Sequence, residues 1–334
     1  MKVLFTHRVS SELKEYYQTK IPSNVDLIFP DDLSNENLFV LAAEANIAVG
    51  YKFSRDFLEE AKNLSHIQVP WTGSETLDFE LLKEYPSVTV SNSHSNSLAI
   101  AEHAIALLLA ASKRLAYSDS HMRKGDWTPR YEKGENTNGY WVSEKTLGVI
   151  GFGAIGEKVA KILKSGFNMK VLAIKRNPDV VGKNEKLEFI GGPKDLKYVL
   201  KESDFILISL PMTKETEGLI GREELEQMKD TAILVNISRG SIIDETSLFL
   251  ALKEKKIAAA GLDVWYNYPK DRTNPTNVFQ NHPFEELDNV VMTPHAAFKV
   301  VEREKIFTKD VIENILLVSS GKNPKNQLNL ELGY

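Results

Sequence analysis

Three closely spaced glycines constrain this chain more than any other feature. Gly151-Phe152-Gly153-Ala154-Ile155-Gly156 follows directly on a strand-like run, Thr146-Leu147-Gly148-Val149-Ile150. An amphipathic stretch from Glu157 to Ser165 comes next, and then a second strand-like run at Lys170–Ile174. Each glycine has its own job in such a strand–turn–helix–strand unit. Gly151 permits the tight turn, Gly153 lets the backbone come close to a pyrophosphate, and Gly156 lets the helix lie on the strand. The N–H groups that open the helix, at Ala154, Ile155 and Gly156, then hold phosphate oxygens. A GxGxxG in isolation is compatible with a turn that binds nothing; this context points to a dinucleotide.

The ribose end of such a site normally carries an acidic residue about 20 positions on, which takes the adenosine 2′-hydroxyl. Here the end of the second strand reads Lys175-Arg176-Asn177. Two cations suit a 2′-phosphate, so NADP(H) is the expected cofactor. NAD(H) stays possible, with Lys175 and Arg176 as solvated strand-end charges.

Short apolar runs alternate with amphipathic segments along the whole chain, the pattern of βαβ units and parallel sheets. One set of strands falls at Val3–Phe5, Val25–Phe29, Ile47–Val49, Ile67–Val69 and Val88–Val90. A second falls at Leu147–Ile150, Lys170–Ile174, Phe205–Ser209, Ala232–Asn236, Ala259–Leu262 and Val290–Thr293. A long apolar helix over Ser97–Tyr117 marks the boundary, and a polar, aromatic surface excursion from Arg123 to Trp141 follows it. An amphipathic helix at Glu302–Ser319 is expected to return to the first domain. At 334 residues the chain is too long for one comfortable core and suits two domains.

Composition narrows the chemistry. With no cysteine, disulfides, thiolate nucleophiles and Cys-ligated zinc are excluded, in keeping with a cytoplasmic setting. The net charge of −5, with both signs dispersed, gives no reason to expect nucleic acid or an anionic membrane as partner. The first residues turn polar before a signal-peptide core could form. The most apolar stretch, Leu98 to Ala111, carries Glu102 and His103 and is too short to span a bilayer. No metal site is expected.

Three chemistry-bearing residues stand just past buried strands: Arg239 in Asn236-Ile237-Ser238-Arg239-Gly240, Asp263 in Gly261-Leu262-Asp263-Val264-Trp265, and His295 in Thr293-Pro294-His295. Open α/β sheets bind ligands outside the carboxyl ends of their strands. An Arg can fork a carboxylate and polarise a carbonyl, and a His can exchange an alcohol proton. Singly each has a plain structural reading, as a loop ion pair, a turn cap or a packed histidine. Their shared placement behind a dinucleotide turn favours chemistry on a small 2-oxo or 2-hydroxy acid.

The motifs resemble those of the D-isomer-specific 2-hydroxyacid dehydrogenase family over essentially the whole chain. Asp204 through Ser209-Leu210-Pro211-Met212-Thr213-Lys214-Glu215-Thr216 is similar to the family's SDxVxLHxPLTxET. The segments from Met228 to Glu245, from Ile257 to Trp265 and at Thr293-Pro294-His295 are similar to MKxGAxLINxARGxxVDE, IAGAGLDVF and TPH. Ser95-Asn96-Ser97 with Ile100-Ala101-Glu102-His103 resembles SNxxxVAEH, and Gly321 to Tyr334 resembles the closing GKxxxNxVxxxxGY.

The resemblance implies a Rossmann-type doubly wound parallel-sheet nucleotide domain, residues 98–298, inserted into a second, flavodoxin-like α/β domain formed by 1–97 and 299–334. It assigns Arg239 to substrate anchoring, His295 to acid–base exchange and Asp263 to the nicotinamide carboxamide. Leu210, Pro211, Thr216, Ile237 and Ser238 are expected to line the cofactor. The loop Pro70-Trp71-Thr72-Gly73-Ser74 is expected to offer the N–H groups of Thr72 and Gly73 to the substrate carboxylate. It also implies a homodimer joined through the nucleotide domains.

Two departures stand out. The family's catalytic Glu, just before a Pro, is replaced by Tyr268 in Leu262-Asp263-Val264-Trp265-Tyr266-Asn267-Tyr268-Pro269, and an insertion follows at Lys270–Gln280. The substrate loop's familiar Gly-x-Gly reads Trp71-Thr72-Gly73. The leading expectation is a glyoxylate/hydroxypyruvate or bulkier 2-ketoacid reductase. The alternative is a dinucleotide-sensing binding protein that kept the fold and lost catalysis. Trp71, Trp127, Tyr131 and Trp141 are open to two readings, a substrate-lining or neighbour-subunit role and plain packing.

Overall fold

The computed structural model describes residues 1–134, 138–178, 187–269 and 281–333. Two compact units emerge, Met1–Asn96 with Lys299–Tyr334, and Ser97–Phe298.

The first unit holds a parallel sheet of β1 (Lys2–Phe5), β2 (Asp26–Ile28), β3 (Ile47–Val49), β4 (His66–Gln68) and β5 (Thr89–Ser91), ordered β2-β1-β3-β4-β5. This is the flavodoxin-like order, reversing between β1 and β3. Its inner strands β1, β3 and β4 are buried on both faces. Val3, Phe5, Ile47 and Val49 face one apolar cluster with Val311 and Ile315; Leu4, Ala48, Ile67 and Val90 face the other. That two-sided burial explains why Val3–Phe5 and Ile47–Val49 read as unbroken apolar runs, whereas β4 buries the polar His66 and Gln68 beside Ile67. The helix Arg303–Ser319 supplies Val311 and Ile315, and a polar lock fixes its register. The Asn314 amide donates to Gln68 Oε1 at 2.6 Å and to Lys325 O at 3.0 Å, and accepts from Lys325 N at 2.8 Å.

The second unit holds seven parallel strands: β6 (Thr146–Ile150), β7 (Lys170–Ile174), β8 (Phe189–Gly191), β9 (Phe205–Ile208), β10 (Ile233–Asn236), β11 (Ala259–Leu262) and β12 (Val290–Met292). Their order, β12-β11-β10-β9-β6-β7-β8, reverses between β6 and β9. Alternate residues serve opposite layers. Phe205, Leu207, Ile233 and Val235 pack with the helices Ser97–Ser112 and Ala154–Phe167; Ile206, Ile208 and Leu234 pack with Val199, Leu225 and Leu248 from helices on the other side.

Two features differ from expectation. The single helix over Ser97–Tyr117 is two, Ser97–Ser112 and Leu115–Met122, because Arg114 takes left-handed φ of 52°. No Gly or Pro marks the break. Arg114 instead answers to a distant partner, Asp288 at 3.2 Å, and to the neighbouring Tyr117 ring at 4.4 Å. The short edge strand β8 was not anticipated. The excursion from Arg123 to Trp141 carries one helical turn, Thr128–Tyr131, and leaves Trp127, Tyr131 and Trp141 exposed. The insertion at Lys270–Gln280 lies outside the described residues.

Candidate functional site

Register alone brings the expected residues of the second unit to one edge. Ile150 pairs with Ile174 and Ile208, Ile208 with Asn236, Asn236 with Leu262, and Leu262 with Met292. The next residue along each strand therefore emerges in a row: Lys175, Gly151, Ser209, Ile237, Asp263, Thr293. The topological reversal between β6 and β9 opens a crevice in that row beside Gly151.

The three glycines differ in what their surroundings demand. Gly151 has φ of 103°, and a Cβ there would stand 2.5 Å from Ser209 O. At Gly156 a Cβ would stand 2.5 Å from Gly151 O and 2.8 Å from Val149 Cγ1, so its absence lets helix meet strand. Gly153 differs: its φ is −108°, and a Cβ would meet nothing within 4 Å. Neither conformation nor packing asks for glycine there, which leaves room for a group outside the chain. Gly153 caps the 14-residue helix Ala154–Phe167, whose first-turn N–H groups at Ala154, Ile155 and Gly156 face the same place. These residues fit a pyrophosphate.

Past the end of β7 both cations are engaged by carboxylates. Lys175 Nζ lies 3.8 Å from Glu157, and Arg176 pairs with Glu215 from the segment after β9. That segment is built on Thr216, whose hydroxyl donates to Pro211 O at 2.7 Å and accepts from Thr213 N at 2.8 Å. Leu210 packs on the core beside it, and Pro211 is exposed. Ile237 and Ser238 are buried at the neighbouring strand end, Ser238 Oγ donating to Ile208 O at 3.0 Å.

Arg239 is presented by a turn that Asn236 closes. The Asn236 amide accepts from Ser238 N and donates to Arg239 O, both at 3.0 Å, and one guanidinium nitrogen donates to Ser238 O at 2.6 Å. The next residue must be glycine, since a Cβ at Gly240 would stand 2.5 Å from the Trp265 backbone. That close approach presses the turn after β10 against the turn after β11, which carries Tyr268. The Tyr268 hydroxyl accepts from Trp265 N at 3.2 Å, and its ring lies 5.5 Å from that of His295. Burial raises the phenol above its ordinary pKa, although the Trp265 N–H and the Arg239 charge pull the other way. Tyr268 is therefore neutral near pH 7.

Asp263 is fully buried. Its carboxylate accepts from Thr293 Oγ1 at 2.6 Å, Ala296 N at 2.8 Å and Ala297 N at 3.0 Å. Burial alone would raise its pKa. Hydrogen bonds from His103, Thr293 and the two amides outweigh that and hold it below the usual carboxylate range. The resemblance assigns Asp263 to the nicotinamide carboxamide; in the structure its oxygens brace the turn that carries His295.

In the first unit, taken by itself, Thr72 and Gly73 stand in the loop after β4. The Thr72 hydroxyl is taken up within the unit, 2.9 Å from Ser93 O and 2.8 Å from Asn96 Oδ1, and Asn92 Nδ2 donates to Thr72 O at 2.7 Å. Trp71 lies in an aromatic group with Tyr51 at 4.6 Å and His7 at 6.4 Å. Tyr51 and His7 follow β3 and β1 and went unremarked in the sequence; their position after apolar strands was the available signal. Among the described residues no cluster of three His, Asp or Glu side chains could hold a metal, and no helix is long and apolar enough to cross a membrane.

A doubly wound sheet with this glycine turn at its reversal defines a dinucleotide-binding unit. The comparisons then fix the family. A family model described as "D-isomer specific 2-hydroxyacid dehydrogenase, NAD binding domain" matches residues 105–297. The glyoxylate reductase of Thermococcus litoralis is 36% identical over 285 residues, covering 84% of this chain and 82% of that protein. The D-3-phosphoglycerate dehydrogenase of Archaeoglobus fulgidus is 35% identical over 334 residues, 99% of this chain but only 59% of that longer protein. Among solved structures, an acyclic imino acid reductase in complex with NADPH and D-Arg matches with a TM-score of 0.76 and 26% identity, covering 98% of this chain and 100% of that one. The chain belongs to the D-isomer-specific 2-hydroxyacid dehydrogenase family and carries its NAD(P)-binding domain.

Proposed function

We propose that this chain is a reductase of small 2-oxo acids that prefers NADP(H), of the glyoxylate/hydroxypyruvate or bulkier 2-ketoacid kind. One observation carries the reading: Arg239 and His295 stand at the carboxyl edge of the sheet that bears an open glycine turn, with Tyr268 touching the environment of both. When bound, the dinucleotide donates or accepts the hydride. Arg239 forks the substrate carboxylate and polarises the keto oxygen, and His295 gives that oxygen its proton in reduction and removes it in oxidation. Lys175 and Arg176 support NADP(H) over NAD(H), with Leu210, Pro211, Thr216, Ile237 and Ser238 beside the cofactor. The similarity to a protein named glyoxylate reductase supports a small substrate. We also propose a homodimer, for which the exposed Trp127, Tyr131 and Trp141 offer apolar surface; light scattering of the purified chain tests it.

The deciding experiment is a panel of glyoxylate, hydroxypyruvate and branched 2-ketoacids with NADPH and with NADH. Turnover is expected for at least one acid, faster with NADPH. Arg239→Lys keeps the charge but loses the fork, and is expected to lower kcat/KM by about 10²-fold or more, on the order of 2.7 kcal/mol. Its cofactor affinity should hold. Tight cofactor binding without turnover of any acid would favour a dinucleotide sensor instead.

A further inference from the structure

The motif residue His103 takes no part in the proposed hydride and proton steps, yet it reaches the turn that bears His295. The reason begins with Gly261 on β11. A Cβ there would stand 2.9 Å from Leu107 Cβ, so its absence lets the helix Ser97–Ser112 lie directly over the strand. One helical turn back from Leu107, on the same helix face, is His103; two residues on from Gly261, on the same strand face, is Asp263. The pairs meet. His103 Nε2 is 3.1 Å from Thr293 Oγ1 and 3.4 Å from Asp263 Oδ1.

Donor bookkeeping fixes the direction of these bonds. The Thr293 hydroxyl has one proton and donates it to Asp263 at 2.6 Å, so it can only accept from His103, whose Nε2 carries the hydrogen. Asp263 also holds the amides of Ala296 and Ala297. His295 stands between the bracketed residues with left-handed φ of 53°, a conformation costly for a non-glycine residue and sustained only by surrounding bonds.

We propose that His103 is a positioning residue: acting through Thr293 and Asp263, it orients the turn that aims His295. The proposal rests on the reading of His295 as the acid–base group. His103→Leu removes the donor, His103→Gln keeps an N–H donor near the Nε2 position, and Thr293→Val removes only the hydroxyl between them. In the purified full chain, His103→Leu and Thr293→Val are expected to lower kcat for glyoxylate reduction with NADPH by roughly 10-fold or more, as small misplacements of a catalytic group do. KM for both substrates and the NADPH Kd by fluorescence should stay within about 2-fold. His103→Gln should recover most of kcat. A second readout needs no turnover: the imidazole NMR signals of His295 in the cofactor-free chain should shift in the Leu and Val variants and return toward wild type in the Gln variant. Unmoved His295 signals in His103→Leu overturn the proposal, as does a fall in kcat that His103→Gln fails to rescue. If no 2-oxo acid turns over in wild type, the activity reading fails, and the NMR signals alone decide the positioning.

Discussion

Tyr268 lies beside His295, their ring centroids 5.5 Å apart and their planes inclined by 48°. In the family pattern a glutamate fills that place. A carboxylate within ~4–6 Å favours the protonated imidazole, whereas a neutral phenol does not. Tyr268→Glu is therefore expected to carry the falling limb of the reductase pH profile upward, and Tyr268→Phe to leave it in place. The check is kcat/KM for reduction against pH in the three proteins. One shared apparent pKa across all of them would mean that another group governs the His295 proton.

The glycine turn predicts a separation of stability from binding. Gly151→Ala meets both a left-handed backbone and the Ser209 carbonyl, and should cost at least about 2 kcal/mol of stability. Gly153→Ala meets neither. It should cost under ~1 kcal/mol of stability, yet weaken NADPH binding by at least about 10-fold, about 1.4 kcal/mol, by filling the space the pyrophosphate needs. Thermal melts and fluorescence titrations of both variants read this directly. Unchanged cofactor affinity in Gly153→Ala would remove the open turn as the phosphate site.

Cofactor choice turns on a competition that the sequence did not display. Arg176 is paired with Glu215, so a 2′-phosphate must displace or share that carboxylate. A charge-assisted bond is worth roughly 1.5–3 kcal/mol, and an exposed ion pair about 0–1 kcal/mol, so the phosphate should win. NADPH is expected to bind more tightly than NADH, and Glu215→Gln to tighten NADPH by roughly 3- to 10-fold with little change for NADH. Lys175→Asp combined with Arg176→Ala should reverse the order. Paired titrations with the two cofactors decide it, and tighter NADH than NADPH in wild type would rule out an NADPH preference.

The legible parts of the site were the local ones. Strand, turn and helix around Gly151–Gly156 are contiguous, so spacing alone exposed them. The strand-end placement of Arg239, Asp263 and His295 was legible because each follows an apolar run and a parallel sheet lines up its strand ends. The roles that depend on long-range packing were hidden. Nothing local to His103 shows that Gly261, 158 positions later, lowers the helix onto β11. Nothing local to Asp263 shows that it braces residues 293–297. The break at Arg114 was missed for the same reason, since its left-handed turn is stabilised by Asp288 and not by a glycine.

The last prediction concerns His66, buried on β4 at the root of the Thr72–Gly73 loop. Burial lowers its pKa to about 4, against the opposing pull of hydrogen bonds to Gln68 and Thr89. In the unfolded chain the ordinary value is ~6.5. The folded value is the lower, so between those limits the unfolded chain takes up a proton that the folded one refuses, and stability falls as pH falls. From pH 7.5 to 5 the loss from this residue should be about 2 kcal/mol, approaching about 3 kcal/mol near pH 4. Its neighbours fix where the effect is felt: Gln68 Oε1, 3.4 Å from His66 Nε2, also accepts from Asn314, so an opening that exposes His66 to protonation also releases the lock that registers the helix Arg303–Ser319. Hydrogen exchange of the peptide containing His66–Gln68 isolates this opening from events in the nucleotide unit. Its protection should drop between pH 7.5 and 5 by about 2 kcal/mol more in wild type than in His66→Gln, once intrinsic exchange rates are corrected for pH. Equal losses in the two proteins would assign the acid sensitivity to other groups.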